Sequence, residues 1–556
     1  MDLTKLFRDP EAPAGAAPCS EKAVRAVFLT CSVPLTLVLL MDAVLNMRWR
    51  VFHDAATMAY YSFLMNHFHW MPYRDFLEMN MPGVHLFNAL MGRLFGYSDL
   101  GFRLGDFTTL SVILIFTWVW LRRLGWKVAW AACAGFCFLY YSQGPLLSMQ
   151  REFILLIPLS LALVIASSPG SGNAGRSLGV GLCFGCAFLI KPLAVIGYPL
   201  LFIFLLRAPE PEGIAGPMGG RRTLRLAAWT SIGFLLPIGL TSFWLWRNGA
   251  LTAFLNVAGN YWPLYAQMSG EHRILMPGER PAYLLRSYLE FNGMWNLFWP
   301  AGLGLIIALW NSGLDKDRRR QVLGLSALAF TYSLYPVLAG KFWSYHWLIF
   351  MYFLCALGAL CLVDQPSSTR RILRIFPMAV FFLAFFLPPP FWHTLGLHLR
   401  GKSDYYLQIE RGDALAAFLK KHLRPGDTVQ PLDWTGGTHQ AMLAARAKPA
   451  TPFLTDECFY HHVSHPYIQR LRARFIEGLN AARPRFILRI MERDIPAEGG
   501  TSNRFEALET FLADLYRPIL VDRSLLFTIY EKKADPPGTG PADSRPDATS
   551  GARPPD

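Results

Sequence analysis

Asp54 stands just past the first apolar run of the chain, in Phe52-His53-Asp54, and is followed by Met71-Pro72-Tyr73-Arg74-Asp75-Phe76 and Asn80-Met81-Pro82-Gly83. Acidic side chains in a proline-broken, aromatic loop beside an apolar helix sit in neither lipid nor free water. Partial desolvation there raises the basicity of a carboxylate, which suits Asp54 to taking a proton from a hydroxyl. The plainer reading is an interfacial helix cap or a partner for Arg48 or Arg50.

Further candidates occur at the ends of apolar runs. Arg151 and Glu152 follow Ser148-Met149-Gln150. A guanidinium suits bidentate contact with phosphate, and Glu152 could orient it or a sugar hydroxyl; a local ion pair at a helix boundary is the alternative. Lys191 lies between two apolar stretches in Leu189-Ile190-Lys191-Pro192-Leu193. A charge there is costly unless it faces a cavity, a partner or the interface, and Pro192 breaks the helix beside it. Lys341, Tyr345 and His346 come from Gly340-Lys341-Phe342-Trp343-Ser344-Tyr345-His346, a tight turn with the donors of an anion site. Interfacial anchoring accounts for Trp343 and Tyr345 without function, and less readily for Lys341 and His346.

Arg74 and Asp75 could bind substrate or simply pair, and Arg273, Arg280 and Arg286 are individually weak signals. His461, His462 and His465, with Asp456 and Glu457 nearby, have a spacing that could suit a metal or belong to surface histidines in an adaptable loop.

The elements that must hold these residues are mostly membrane helices. Only 17% of the residues are charged and 53% are hydrophobic, with 14% aromatic and a mean hydropathy of +0.27. A soluble protein would carry about 25% charged residues, so the composition excludes that class. The net charge of +14 does not imply nucleic acid, because the positives cluster in short loops between apolar runs. Most of the nine cysteines lie inside those runs and read as small core residues, Cys183 and Cys186 included.

Apolar spans are expected at 26–44, 107–121, 128–141, 153–166, 178–190, 193–206, 226–246, 295–310, 322–339, 347–363 and 375–391, about eleven helices. Residues 1–25 read as a cytoplasmic tail. Arg122-Arg123 with Lys127, Arg176, the group Arg207/Arg221/Arg222/Arg225, Lys316 with Arg318-Arg319-Arg320, and Arg370-Arg371 with Arg374 then fall in inner loops. Asp54, Arg74, Arg151, Lys191, Lys341 and His346 fall together on the opposite side, at headgroup depth. Two long outer segments, 46–106 and 247–293, separate spans. Stretches 55–68 and 84–95 of the first are amphipathic and expected to lie along the membrane surface. From His393 the composition turns soluble, with strands expected at 428–432, 485–490, 519–522 and 526–531 and helices at 412–423, 466–479 and 504–515. This makes 392–533 an outer α/β domain, followed by a disordered tail at 534–556.

The chain resembles the membrane-embedded GT-C glycosyltransferases, in particular the bacterial group related to protein O-mannosyltransferases and to the aminoarabinose transferase of lipid A. The resemblance rests on Asp54, the Pro72-to-Phe76 and Met81-Pro82-Gly83 runs, Arg151-Glu152, Lys191-Pro192 and the Lys341-to-His346 turn, and spans residues 26–391. It implies a mostly α, polytopic inner-membrane protein with a C-terminal periplasmic α/β domain. It further implies inverting transfer of a sugar from a polyprenyl-phosphate donor to a glycolipid, polysaccharide or protein acceptor. Asp54 would be the general base. Arg151, Lys191, Lys341 and His346 would hold the donor phosphate, and His53, Arg74, Asp75, Glu152 and Tyr345 would bind substrate. Many relatives carry Asp-Glu where Asp54-Ala55 stands here, which removes a second acid and any help it gives a metal. No cofactor and no metal site are expected, with a divalent metal an open alternative. A lipid-linked-sugar transporter or flippase, an O-antigen ligase or polymerase, and a catalytically silent scaffold whose outer domain binds a partner are the rival readings; no internal repeat of the transporter kind is evident.

Overall fold

The computed structural model describes residues 17–168, 174–206, 220–366, 369, 371–387, 389–401, 405–491, 500–502 and 504–534. Most of the N-terminal tail, Arg207, Arg370 and the C-terminal tail from 535 lie outside the described residues.

The helical part runs α1 (Ala17–Asn46), α2 (His53–Phe68), α3 (Pro82–Phe95), α4 (Asp99–Leu121), α5 (Trp126–Ser142), α6 (Arg151–Ser167), α7 (Ala174–Ile190), α8 (Tyr198–Leu206), α9 (Gly220–Arg247), α10 (Leu251–Tyr265), α11 (Arg280–Leu289), α12 (Phe298–Trp310), α13 (Lys316–Ser333), α14 (Tyr335–Ala339), α15 (Leu348–Ala359), α16 (Arg371–Phe386) and α17 (Pro389–Leu399). Among the described residues every expected apolar run falls mainly on helix. Among the described residues five helical stretches, such as Lys22–Asn46 and Ser344–Leu362, are long and apolar enough to cross a membrane by themselves. Others are shorter: α6 and α7 have 17 residues each. At 1.5 Å per residue that is about 25 Å, less than the roughly 30 Å of bilayer hydrocarbon. Arg151 starts α6 and Lys191 directly follows α7, so both charges stand at helix ends.

Small residues bring α7 and α9 into backbone contact. A Cβ on Gly181 would collide with the Thr230 carbonyl oxygen, and one on Gly233 with that of Leu178. Without a hydrophobic drive between helices in lipid, such close approach supplies the packing. On α7 Cys183 is buried, but Cys186 is exposed, so only the former is the core residue expected.

The C-terminal region contains α18 (Tyr406–His422), β1 (Thr428–Leu432), α19 (Thr438–Ala444), β2 (Lys448–Pro449), α20 (Pro466–Ala482), β3 (Phe486–Ile490), α21 (Glu506–Leu515), β4 (Tyr516–Asp522) and β5 (Phe527–Lys532). The sheet order is β2-β1-β3-β5-β4. β1 pairs in parallel with β2 and β3, whereas β5 runs antiparallel to β3 and β4. Helices cover the parallel strands, as βα units require.

This region is docked on the membrane part. Tyr60 OH donates to the Ala447 carbonyl at 2.8 Å, Leu77 N to that of Pro452 at 2.8 Å, and Thr57 Oγ1 lies 3.2 Å from His439 Nδ1. Val257, Tyr261 and Leu264 of α10 join the core formed by Phe459, Tyr460 and Phe475. The docking corrects one expectation. α2 is not a surface helix: Ala55 through Leu64 are all buried beneath the C-terminal region, because its second apolar face meets that region instead of lipid. α3 does present Leu86, Leu90 and Leu94 outward on one stripe, as an interfacial helix would.

Candidate active site

Asp54 and Arg151 are delivered by the first turns of α2 and α6. Both helices begin through left-handed residues that are not glycine, His53 (φ +54°) and Met149 (φ +55°), a conformation that costs energy and persists where its surroundings impose it. The surroundings of Met149 are a buried network. Asp106 Oδ1 accepts from Met149 N at 3.2 Å, Arg103 Nη1 donates to Ser148 Oγ at 2.8 Å, and Tyr140 OH donates to Asp106. Gly83, at the start of α3, backs onto the Leu189 carbonyl so closely that a Cβ there would clash. That approach brings Asn80 to Arg151.

Arg151 binds two partners, donating through Nη2 to Asp54 Oδ2 at 2.8 Å and through Nη1 to Asn80 Oδ1 at 2.8 Å. The paired side chains are only 14% and 13% exposed. His53 Nδ1 lies 3.5 Å from Asp54 Oδ1, and the Tyr345 ring centre 5.9 Å from Arg151 Cζ. Burial opposes ionisation of Asp54, but the charges of His53 and Arg151 outweigh it and hold the carboxyl below the ordinary aspartate value. The expectation from desolvation is therefore reversed: with Arg151 in place, Asp54 is a weaker base than a free aspartate.

Behind this pair lies a second buried group. Lys191 donates to Glu152 Oε1, and Tyr335 OH donates to the same oxygen at 3.0 Å. His346 Nε2 stands 3.2 Å from Lys191 Nζ and 3.5 Å from Glu152 Oε1. Lys191 reaches inward because the chain leaves α7 extended and turns through the short helix Pro192–Gly197. Glu152 Oε2 has no hydrogen-bond partner among the described residues.

Thus Asp54, His53, Arg151, Glu152, Lys191, Tyr345 and His346 converge, and three of the expected residues do not join them. The Lys341 ammonium is buried against the carbonyls of Met268 (2.5 Å), Ser269 (2.9 Å) and Tyr265 (3.4 Å), so it ties down the loop after α10 instead of facing the Asp54 cavity. Its pKa falls to about 7, chiefly through burial, with Glu457 pulling the other way. Arg74 and Asp75 form a bidentate pair whose further bonds go to the Asn248 carbonyl and Met71 N, bracing two loops. Arg273, Arg280 and Arg286 likewise bond within their own loop, to Glu279, the Ala266 carbonyl and Glu290.

Asp54, Arg151 and Tyr345 line a cavity of about 60 Å³ whose other walls include Glu78, Asn80, Tyr265, Trp343, Trp434 and Glu457. That volume holds a few waters and not a sugar ring. Sequence reasoning missed Glu78 and Glu457 in this site. Glu78 is buried, accepts from Met79 N, Asn80 N and Asn80 Nδ2 at 2.6–2.8 Å, and has its pKa raised by burial against those bonds. A carboxylate inside Phe76-Leu77-Glu78-Met79 was the available signal. Glu457 belongs to the C-terminal region, and nothing in the sequence ties it to Asp54. Of the three histidines near it, His461 is buried, with Nδ1 3.1 Å from the Glu457 carbonyl, and His462 Nε2 lies 2.9 Å from that of Leu264, whereas His465 is exposed, as a surface histidine would be, and accepts from Tyr467 N.

The architecture is a polytopic membrane helical fold with an α/β region closed over a buried charged site. No family model matches the chain, and no curated protein matches it by sequence. Its fold is similar to the crystal structure of ArnT from Cupriavidus metallidurans bound to undecaprenyl phosphate, with a TM-score of 0.52 and 11% identity over 90% of this chain and 98% of that one. The apo state of that ArnT aligns with a TM-score of 0.42 and 12% identity over 90% and 97%. The first of these alignments bears out the fold implied by the sequence resemblance.

Proposed function

We propose that this protein is an integral-membrane GT-C glycosyltransferase that moves a sugar from a polyprenyl monophosphate to a glycolipid, polysaccharide or protein acceptor. Transfer takes place at the periplasmic face of the bacterial inner membrane. Residues 26–391 form the catalytic membrane part and 392–533 the periplasmic domain. The observation that carries the reading is the Arg151–Asp54 pair at two converging helix N-termini, backed by Lys191 and His346. Helix N-termini favour anions, and a base beside phosphate-binding cations is what an inverting transfer from a phosphate needs.

The donor phosphate draws Arg151 toward itself. Asp54 then loses the cation that suppresses its basicity and takes the proton of the acceptor hydroxyl as the oxygen attacks the anomeric carbon. The bond from that carbon to the phosphate oxygen breaks on the opposite face, and its electron pair stays with the phosphate, where Arg151, Lys191 and His346 meet the charge. Glu152 orients Lys191 and His346, His53 and Tyr345 face the transferred sugar, and Lys341 ties the end of α10, where Tyr265 stands, to the loop that follows it. Arg74 and Asp75 keep the first outer loop in place.

Binding of undecaprenyl phosphate, the lipid in the ArnT structure, is the direct test. The full-length protein in lipid nanodiscs should bind it, and Arg151→Ala should weaken binding at least about tenfold, one lost charge-assisted hydrogen bond. Asp54→Asn should keep lipid binding and abolish sugar transfer. Full transfer activity in Asp54→Asn would end the base assignment.

A further inference from the structure

Glu457 is 4% exposed and its Oε1 has no hydrogen-bond partner among the described residues, although it lines the same cavity as Asp54 and Arg151. A buried carboxyl without a donor calls for a reason, since such groups are nearly always satisfied. His272 Nδ1 stands 3.5 Å from that oxygen, beyond a good hydrogen bond, and has itself no hydrogen-bond partner among the described residues. The backbone around Glu457 is firmly held. It opens the short helix Glu457–Phe459, and Cys458, Phe459 and Tyr460 are buried in the core shared by α10 and α20. Oε1 of this carboxyl thus sits on a firmly held backbone and is without a donor among the described residues.

We propose that Glu457 is the group that hydrogen-bonds the acceptor across the cavity from Asp54, so that the C-terminal region supplies the acceptor wall of the active site. This rests on the glycosyltransferase reading and extends it to the acceptor. The ligand is a hydroxyl-bearing molecule, whose donated hydrogen bond satisfies Oε1. Trp343, Trp434, Tyr265 and Tyr345 around the cavity offer the flat apolar faces that a sugar ring covers.

The charged surroundings make the contact sensitive to pH. Burial raises the Glu457 carboxyl to about 8; Lys341 and Arg151 favour its ionised form, while Asp54 and Asp456 disfavour it. His272 and His461 beside it have pKa values lowered to about 4, principally by burial, and are neutral when Glu457 titrates. Tyr261 and Tyr265 complete the surroundings, both kept neutral by burial. Ionised Glu457 accepts from a hydroxyl more strongly than the protonated acid, so acceptor binding tightens as pH rises through about 8.

The test uses the full chain in nanodiscs, with undecaprenyl phosphate as the donor-side binding probe, the polyprenyl-phosphate-linked sugar fraction of the producing cell as the sugar source and an envelope glycolipid extract of that cell as the acceptor probe, and transfer is read by mass spectrometry. Glu457→Gln should leave undecaprenyl phosphate affinity within about twofold and raise the half-saturating amount of extract about ten- to a hundredfold, the worth of one hydrogen bond to a charged group. It should also remove the dependence of half-saturation on pH between about 7 and 9, a change that a merely structural role would not produce. Glu457→Asp, which keeps the charge but withdraws it by one methylene, should retain the pH dependence with weaker binding, and it carries the same test if the glutamine variant does not assemble. Unchanged half-saturation, or equal loss of donor and acceptor binding, overturns the proposal. A wild-type protein that does not bind undecaprenyl phosphate overturns the underlying glycosyltransferase reading instead, and the donor arm tells the two apart.

Discussion

Arg151 and Asp54, 97 positions apart in the chain, meet at 2.8 Å where the first turns of α2 and α6 converge, and each restrains the other. The aspartate is kept ionised and weakly basic; the guanidinium is kept from any other anion. An anion strong enough to take Arg151 therefore changes the chemistry of Asp54 without touching it.

Substituting Arg151 by Met should leave a mostly buried carboxylate uncompensated and lower stability by about 3 kcal/mol. Asp54→Asn alone should cost less, because the amide keeps the shape and one acceptor oxygen. In the double variant the losses should fail to add by about 1–3 kcal/mol, the coupling of a contacting charge pair. Thermal melting of the four proteins in one detergent checks this, and strict additivity would show that the pair does not exist in the membrane protein.

Lys191→Met removes the cation bonded to the fully buried Glu152. The expected loss is about 3–5 kcal/mol, with a large part recovered in Lys191→Met combined with Glu152→Gln, since the second change removes the stranded charge. Recovery of stability without recovery of undecaprenyl phosphate binding would separate folding from the phosphate role of Lys191. Recovery of both removes Lys191 from the phosphate site.

The contact between α7 and α9 should tolerate no side chain at its centre. Gly181→Val places methyl groups against the Thr230 carbonyl and should lower stability by about 3 kcal/mol or prevent assembly. Gly239→Val on α9, where nothing lies within reach of a Cβ, is the matched control and should be close to neutral. Size-exclusion profiles and melting curves of the two variants decide the point.

Stability should depend on pH through Lys341. Its pKa drops from 10.5 to about 7 on folding, so between those values the unfolded chain holds more protons than the folded one. The free energy of unfolding then rises with pH across that window, and the destabilisation is complete below it. Lys341→Met should abolish this upward trend. It should also loosen the loop that Lys341 ties through the carbonyls of Tyr265, Met268 and Ser269, seen as faster hydrogen exchange there. A variant that keeps the wild-type pH trend would contradict the burial of this ammonium.

Much was legible in the chain. Long apolar runs have to become helices in lipid, since no other backbone conformation satisfies itself there, and among the described residues every expected span is mainly helical. The strands expected at 428–432, 485–490, 519–522 and 526–531 correspond to β1, β3, β4 and β5 within a few residues. Alternation and turn residues are local signals, and β2, only two residues long, carries too little of either. The charges at span ends announced a site because lipid makes them costly anywhere else.

The sequence by itself determined the membrane class, the helices, four of the five strands and most of the charged cluster, because these follow from transfer free energies and periodicities that act over a few residues. Only the tertiary structure decided which charge answers which. It paired Asp54 with Arg151 and weakened the base, turned Lys341 onto carbonyls, and buried α2 under the C-terminal region. It also brought Glu457 into the cavity from the far end of the chain. Such pairings depend on Coulomb and hydrogen-bond energies that are large only within a few ångströms, and no local pattern records which distant segment the packing will bring that close.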